Sequence, residues 1–203
     1  MGRLWCMGEL IKGRGSTSFL PGRFEVTVSE AVDDGWHGGA EEEFAEVLPR
    51  TQVREEVARS IISRNTSPDI SFSQSVNPYR GCEHGCSYCF ARPSHAYLGL
   101  SPGLDFETRI FAKTNAPELL RKELAKSGYQ PSPIALGINT DAYQPIERKL
   151  QLTRRLIEVL AETRHLFSLI TKNALVTRDI DLLQPMAQQN LVRVYLSVTS
   201  LDN

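Results

Sequence analysis

The spacing of hydrophobic and polar positions changes near residue 71, and from there it predicts strands that alternate with helices. Residues 134–138, 166–170 and 191–198 are short apolar segments of the kind that form buried parallel strands. Residues 71–76 alternate more weakly and predict another strand, and residues 109–113 predict a short extra one. The pattern therefore favours a sheet of mainly buried strands.

Helical periodicity appears between these strands, over residues 117–126, 146–163 and 179–188. Asn115 precedes the first of these segments and is expected to cap it. Strand and helix repeat about every 30 residues, which is the length of a βαβ unit. We therefore predict an α/β fold with a parallel sheet and right-handed crossovers.

The first 70 residues lack sustained periodicity, apart from a helix predicted near residues 53–62. They contain Gly-rich and charged pieces, including the basic tract at residues 12–15. Such a tract could contact phosphate, but flexible tail is the favoured interpretation. The predicted organisation is a largely irregular extension over residues 1–70 and a folded core over residues 71–203.

Polar residues finish the predicted strands, at positions 139–141, 171–173 and 199–200. Ligands of parallel α/β folds gather at the carboxyl ends of the strands. These positions are therefore candidates for binding.

Composition places the chain among ordinary globular proteins, with 203 residues, 41% hydrophobic side chains and a formal net charge of -1. The balanced charge gives no support to a nucleic-acid partner, although a local patch is still compatible with one. The N-terminal residues do not resemble a signal peptide, so we expect a cytoplasmic protein with no membrane partner.

Three of the four cysteines fall within eight residues, as Cys82, Cys86 and Cys89 in the spacing C-x3-C-x2-C, while Cys6 stands alone. In a cytoplasmic protein this clustering indicates metal rather than disulfides. Three thiolates are one fewer than a cubane [4Fe–4S] cluster has irons, which suggests one iron with free coordination sites. The amine and carboxylate of an amino acid could chelate that iron.

A structural zinc site is the alternative, with His84 or His95 as the fourth ligand. Zinc modules usually present two separated ligand pairs, which this loop lacks. Each histidine also has a simpler interpretation as a hydrogen-bonding group near the site.

The cysteine spacing, with Tyr88 directly before the last cysteine, resembles the radical S-adenosylmethionine superfamily. Three neighbouring segments are similar to its bacterial branch related to spore photoproduct lyase: Asn-Pro-Tyr-Arg-Gly-Cys at 77–82, Phe-Ala-Arg-Pro-Ser-His-Ala-Tyr at 90–97, and Thr-Asp-Ala-Tyr-Gln-Pro-Ile-Glu at 140–147. The resemblance implies a partial parallel (β/α) barrel with the cluster loop after its first strand. It also implies an enzyme that cleaves S-adenosylmethionine reductively to a 5′-deoxyadenosyl radical.

By the same resemblance, four residues would contact S-adenosylmethionine. Thr140 would approach its methionyl end, Lys172 its carboxylate, Ser197 its amino-acid or ribose part, and Tyr88 its adenine. The implied cofactors are a [4Fe–4S] cluster and S-adenosyl-L-methionine. The implied partners are an electron donor, such as flavodoxin or ferredoxin, and a substrate that the sequence does not identify.

The sequence departs from the branch pattern at two places. Ala142 stands where the branch has Pro, and Ile138 and Asn139 stand where the lyase has a hydrogen-donor cysteine, so photoproduct repair is not expected. Two non-enzymatic alternatives remain open at this point: a cluster-binding electron carrier and a zinc-bearing adaptor, both without turnover.

The chain stops directly after the fourth barrel-type strand, at residues 191–198, whereas related enzymes continue through two further βα units. The resemblance thus implies a barrel truncated after the fourth strand. An uncovered edge strand exposes backbone and apolar groups, so we expect the isolated chain to be poorly soluble and weakly active.

Overall fold

Eight strands and five α-helices form the part of the chain that the computed structural model describes, residues 13–21 and 49–199. The strands are β1 (Gln52–Glu56), β2 (Ile62–Arg64), β3 (Gln74–Val76), β4 (Tyr79–Arg80), β5 (Arg109–Lys113), β6 (Ile134–Leu136), β7 (Phe167–Thr171) and β8 (Val192–Leu196). The helices are α1 (Leu104–Thr108), α2 (Ala116–Leu124), α3 (Glu147–Leu150), α4 (Leu152–Glu162) and α5 (Ile180–Gln188). Two 3₁₀ helices span Arg92–Leu98 and Ala174–Asp179.

The larger sheet has the strand order β2-β3-β6-β7-β8. Strands β3, β6, β7 and β8 are parallel, and β2 runs antiparallel to β3. Leu136 lies in register with Val76 on one side and with Leu169 on the other. The fold is therefore mixed α/β with a parallel sheet centre, as the spacing of apolar segments predicts, and within the described residues this sheet is open rather than closed into a barrel.

Helices α2, α4 and α5 supply the main core together with the larger sheet. Leu120 of α2, Leu156 and Leu160 of α4, and Leu136 and Leu169 of the sheet are all fully buried in one cluster. Burial of such side chains typically contributes about 1.5–3 kcal/mol each. This packing fixes the strands whose ends carry the candidate site.

A second sheet has the strand order β1-β5-β4. Strand β4 directly precedes the cysteine loop, residues 81–90, and β5 follows it in the chain. The helix predicted near residues 53–62 is wrong: β1 occupies Gln52–Glu56 and pairs in parallel with β5, with Val53 opposite Ile110. Ile110 is fully buried. Pairing with a distant strand overrides a weak local helical pattern.

The helix predicted over residues 146–163 is interrupted at Gln151, whose φ of 52° is left-handed. Glu147 explains the break, because its carboxylate accepts hydrogen bonds from Thr153 N at 3.0 Å and Arg154 N at 3.3 Å. These are N–H groups in the first turn of α4 that have no partner within the helix. A buried carboxylate thus starts a second helix directly after α3.

Asn115 precedes α2 as predicted, but its side chain does not cap the helix. Its amide instead pairs with the backbone of Ala58, accepting from Ala58 N and donating to Ala58 O, each at 2.9 Å. The cap prediction is wrong in this respect because a long-range backbone partner takes both polar atoms.

The sheet face opposite the helices is open over β7 and β8. Ser168, Ile170, Arg193 and Tyr195 line a groove of about 780 Å³ there. In the described ranges, β8 pairs only with β7, and its apolar side chains Val194 and Leu196 are exposed. None of the helices in those ranges has both the length and the apolar character needed to cross a lipid bilayer.

Candidate functional site

The cysteine loop, residues 81–90, follows β4 at the carboxyl ends of the parallel strands. Cys82 is buried, Cys86 and Cys89 are half-buried, and all three are free thiols. Burial raises the pKa of the Cys82 thiol to about 12. Cys6 lies outside the described residues.

Two tight turns shape the loop, with Gly85 N donating to Cys82 O at 3.1 Å and Cys89 N donating to Cys86 O at 3.2 Å. Gly81 and Gly85 have left-handed φ values of 76° and 61°. A Cβ at Gly81 would lie 2.9 Å from Phe106 O, so both the conformation and the space require glycine at that position.

Arg92 holds the loop from inside the protein. Its guanidinium donates to Cys86 O at 2.9 Å, to Gly103 O at 2.9 Å and to the Glu107 carboxylate at 3.0 Å, and it also bonds Gly85 O. Arg92 and Glu107 are both buried. A buried charge pair with hydrogen bonds to carbonyl oxygens fixes the path of the backbone between two of the cysteines.

Gln144 holds the opposite end of the loop. It accepts from Glu83 N at 2.9 Å and donates to Gly81 O at 3.2 Å. Glu83 in turn accepts from Ile146 N at 2.7 Å. The segment after β6 is therefore tied to the backbone on both sides of Cys82.

Asp141 connects the ends of β6 and β7. Its carboxylate accepts from Thr171 Oγ1 at 2.6 Å, from Lys172 N at 2.9 Å and from Tyr143 N at 2.8 Å. Nε2 of His84 lies 3.4 Å from Asp141 Oδ2, an ion-pair distance without a hydrogen bond. Burial opposes ionisation of Asp141, but these contacts outweigh it and lower its pKa.

Lys172 reaches from the end of β7 into the cysteine loop. Its Nζ donates to Cys86 Sγ at 3.0 Å and to Tyr88 OH at 2.9 Å, and it lies 5.2 Å from the centre of the Tyr88 ring. The contacts with Cys86 and Tyr88 raise the pKa of Lys172, so the side chain is an ammonium. A cation thus stands beside a predicted cluster ligand.

Thr140 and Ser197 lie at other strand ends. Thr140 follows β6, is buried, and donates from Oγ1 to Tyr79 O at 3.1 Å. Ser197 directly follows β8, is exposed, and donates its backbone N–H to Thr171 O at 2.9 Å. Of the four residues predicted to contact S-adenosylmethionine, the structure brings Tyr88 and Lys172 together and gives Thr140 and Ser197 backbone partners. Their ligand contacts stay predictions.

The fit of a metal cluster rests on the donor chemistry of this loop. Three free thiols lie on one short segment, with a lysine ammonium on one of them, and this donor set suits an iron–sulfur cluster with three protein ligands. In the arrangement of side chains seen over residues 13–21 and 49–199, no three His, Cys, Asp or Glu groups converge on a single metal position. The three thiols match the ligand chemistry of an iron–sulfur cluster. Binding would require their sulfur atoms to move towards a common position.

The two histidines of the zinc alternative have different surroundings. His95 is fully buried, its Nε2 lies 3.0 Å from Arg109 O, and its ring packs against Phe106 at 5.3 Å. His84 is half-buried beside Asp141. The position of His95 agrees with the simpler interpretation as a hydrogen-bonding group near the site, whereas His84 Nε2 makes no hydrogen bond.

Sequence reasoning missed three residues that hold the loop, Arg92, Glu107 and Gln144, and it gave Asp141 only as one of the strand-end binding candidates. Arg92, Asp141 and Gln144 lie within the segments that carry the family resemblance, which was a signal for them. Glu107 lies outside those segments, and two of its partners, Gly15 and Ser16, are distant in sequence.

Comparisons with known proteins give relatives but no function. No protein-family model matches the chain. No solved structure matches it. An uncharacterized protein of Mycobacterium tuberculosis (strain ATCC 25618 / H37Rv) is 43% identical over 133 residues, which is 66% of this chain and 39% of the relative.

An uncharacterized protein of Mycobacterium bovis (strain ATCC BAA-935 / AF2122/97) is similar to the same extent, 43% over 133 residues with 66% of this chain and 39% of the relative covered. An uncharacterized protein of Methanocaldococcus jannaschii is 28% identical over 127 residues, covering 63% of this chain and 44% of the relative. The chain thus spans less than half the length of these curated relatives, and it is similar to bacterial and archaeal proteins alike.

Proposed function

We propose that the chain forms the core of a radical S-adenosylmethionine enzyme that binds a [4Fe–4S] cluster through Cys82, Cys86 and Cys89 and cleaves S-adenosylmethionine reductively. One observation carries this proposal. Three free thiols share one loop at the carboxyl ends of parallel strands, and the Lys172 ammonium donates to one of them at 3.0 Å. A site that offers thiolates and a cation together is suited to an anionic cluster and to a ligand with a carboxylate.

The strand order supports the finer fold proposal, a partial (β/α) barrel. Strands β3, β6, β7 and β8 are neighbours in sequence order and parallel, with helices α2, α4 and α5 between or beside them. Asp141 and Lys172 follow β6 and β7 of this series, and the cysteine loop follows β3 after the short strand β4 of the second sheet. We propose that they line the same end of such a barrel, where α/β folds bind their ligands.

In this proposal, each of the four predicted contact residues binds a different part of S-adenosylmethionine. The Lys172 ammonium meets the carboxylate, and the exposed ring of Tyr88 offers an apolar surface for the adenine. Thr140 and Ser197 stand at the ends of the neighbouring strands for the remaining polar groups. When bound, the cluster supplies the electron that breaks the bond between the sulfonium and C5′ of S-adenosylmethionine.

The rest of the reaction is a wider proposal. The electron comes from a donor such as flavodoxin or ferredoxin, and the substrate is not identified by the site. The net charge of -1 gives a nucleic-acid substrate no general electrostatic attraction. A cytoplasmic location is part of the same proposal.

Anaerobic reconstitution with iron and sulfide tests this function. After reduction with dithionite and addition of S-adenosylmethionine, the protein is expected to hold about four irons per chain, the content of one cubane cluster, and to release 5′-deoxyadenosine and methionine. The matched controls are Cys86→Ala, expected to lose both signals, and Cys6→Ala, expected to keep them. Tight binding of zinc, or of a cluster without 5′-deoxyadenosine, would favour the module without turnover.

A further inference from the structure

Residues 13–15 of the Gly-rich basic tract pack against the cysteine loop, while Lys12 lies outside the described residues. Residues 13–20, called the strap here, extend from a close approach to Gly85 of the loop to α1, where Leu104 N donates to Ser18 O at 3.2 Å. Arg14 donates to Glu107 O at 2.8 Å and to Thr51 Oγ1 at 2.9 Å. The expectation of a flexible tail is therefore wrong for residues 13–15.

Two glycines face each other where the strap meets the loop. A Cβ at Gly15 would lie 1.8 Å from Gly85 O, and a Cβ at Gly85 would lie 2.6 Å from Arg14 Cβ. Real side chains do not approach backbone this closely, so the contact forms only between residues without a Cβ. Gly85 lies between Cys82 and Cys86, which places the strap directly behind the predicted cluster ligands.

Glu107 links the strap to the inside of the loop. Its fully buried carboxylate accepts from Gly15 N at 3.1 Å and Ser16 N at 3.3 Å on the strap side, and from Arg92 on the loop side. Arg92 in turn bonds the carbonyl oxygens of Gly85 and Cys86. Loss of the strap would leave a buried carboxylate with a single remaining partner, which is unfavourable.

We infer that the strap is a positioning element for the cysteine loop. Through the Gly15–Gly85 contact and the Glu107–Arg92 pair, it holds Cys82 and Cys86 in the backbone geometry in which they bind the cluster. The inference rests on the proposed function for the cluster itself, but the contact between strap and loop can be tested without one.

Gly15→Ala is the decisive variant, and Gly128→Ala is its matched control, because a Cβ at Gly128 would meet nothing within 4 Å. The first measurement uses the full-length protein without metal and follows the rate of maleimide labelling at buried Cys82 by peptide mass spectrometry. We expect Gly15→Ala to label Cys82 at least tenfold faster than the parent and Gly128→Ala to label it at the parental rate. Equal rates in all three proteins would overturn the inference.

Thermal unfolding of the same proteins separates positioning from general stabilisation. If the lower free energy of unfolding of Gly15→Ala fully accounts for its faster labelling, the strap is an ordinary stabilising contact and the inference is overturned.

Arg14→Ala is the second variant, for use if Gly15→Ala does not fold. Arg14 is exposed, and its replacement leaves the glycine contact in place. We expect several-fold faster labelling of Cys82 in that variant, and an unchanged rate contradicts the inference.

Electron paramagnetic resonance of the reconstituted, reduced proteins gives the second measurement. We expect Gly15→Ala to bind less than half of the parental iron, or to give an altered cluster spectrum, while Gly128→Ala matches the parent. If the parent protein binds no cluster, the proposed function fails while the labelling rates still decide the inference. If the parent binds a cluster and Gly15→Ala matches it in iron content, spectrum and labelling, the inference alone fails.

Discussion

At the scale of single residues, Lys172 contacts both parts of the candidate site, the strand-end residue Asp141 and the cysteine loop. Its backbone N–H is held by Asp141 at 2.9 Å, and its ammonium lies on Cys86 Sγ and Tyr88 OH. One residue thus joins the end of β7 to the cysteine loop. In the proposed enzyme, the same ammonium would bind the carboxylate of S-adenosylmethionine.

Lys172→Ala is expected to weaken binding of S-adenosylmethionine to the reconstituted protein without loss of the cluster. A charge-assisted hydrogen bond is worth about 1.5–3 kcal/mol, which corresponds to roughly ten- to hundredfold in the dissociation constant. Calorimetric titration measures this change. Lys122→Ala, on the exposed face of α2, is the control and should bind as the parent does; an unchanged constant for Lys172→Ala would remove that residue from the site.

Single replacement of Cys82, Cys86 or Cys89 by Ala is expected to abolish the stable cluster, while Cys6→Ala keeps it. The reason is that only the three loop thiols share one short segment. Iron content and visible absorbance report the outcome. Equal loss in the Cys6 variant would mean four protein ligands and no open iron, which contradicts the proposed binding of S-adenosylmethionine.

The cysteines and Lys172 could be singled out from the sequence because their spacing and strand-end positions carry the pattern. Glu107 could not, because two of its partners are backbone N–H groups more than 90 residues away and the third, Arg92, was not singled out either. Arg92 bonds mainly to carbonyl oxygens, whose positions no side-chain pattern encodes. The sequence singles out candidate ligands, but it predicts poorly the frame that orients them, because that frame depends on long-range main-chain contacts.

At the scale of elements, the sequence placed β6, β7 and β8 within a few residues, since each is a short apolar run bounded by polar positions. It failed where a partner decides the conformation. β1 exists through its pairing with β5, and the division between α3 and α4 depends on the Glu147 carboxylate. Periodicity describes the face of a helix but carries no information about a cap supplied from another turn.

A buried ionic network connects α4 and the start of α5 to the segment after β6. Asp179, fully buried at the start of α5, accepts from Tyr143 OH at 2.9 Å, from Arg154 at 2.9 Å and from Arg178 at 2.8 Å. Burial opposes ionisation of Asp179, but the hydrogen bonds from Arg178, Arg154 and Tyr143 outweigh it and lower its pKa. Because the folded-state pKa is below the unfolded value of 3.8, the stabilisation is complete above about pH 4 and is lost as the pH falls through the folded-state pKa.

Asp179→Asn is therefore expected to lower the free energy of unfolding by about 1.5–3 kcal/mol at pH 7, and by much less near pH 2. Urea unfolding at both pH values measures the difference. Asp181→Asn, which removes an exposed partner of the same Arg154, is the control and should change stability little at either pH. A destabilisation of Asp179→Asn that stays constant with pH would contradict the assigned ionised state.

At the scale of the whole molecule, the open sheet leaves β8 as an apolar edge. Leu196 is 64% exposed and Val198 is 66% exposed, and within the described residues β8 has no strand on its outer side. An edge of this kind offers unpaired backbone groups next to apolar side chains, which favours association with another chain.

The double variant Leu196→Lys/Val198→Lys is expected to reduce self-association of the 203-residue chain, because charges on an edge strand oppose pairing. Sedimentation velocity over a tenfold range of concentration measures the distribution of species. Val57→Lys is the control, since Val57 is 79% exposed but lies outside the larger sheet. A parent chain that sediments as a monomer throughout would show that this edge is not adhesive.

Arg92 and Gln144 fix the cysteine loop through its backbone, and this affects which side chains of the loop can change. Both side chains bond to main-chain atoms of the loop, at Gly81, Glu83, Gly85 and Cys86. Main-chain atoms are the same whichever amino acid a position carries. Ser87, Tyr88 and Phe90 are exposed between and beside the cysteines. Mutation can therefore exchange these three side chains while the anchored backbone keeps its course, so that new chemistry around the loop can be sampled by drift or by directed evolution at little cost in folding.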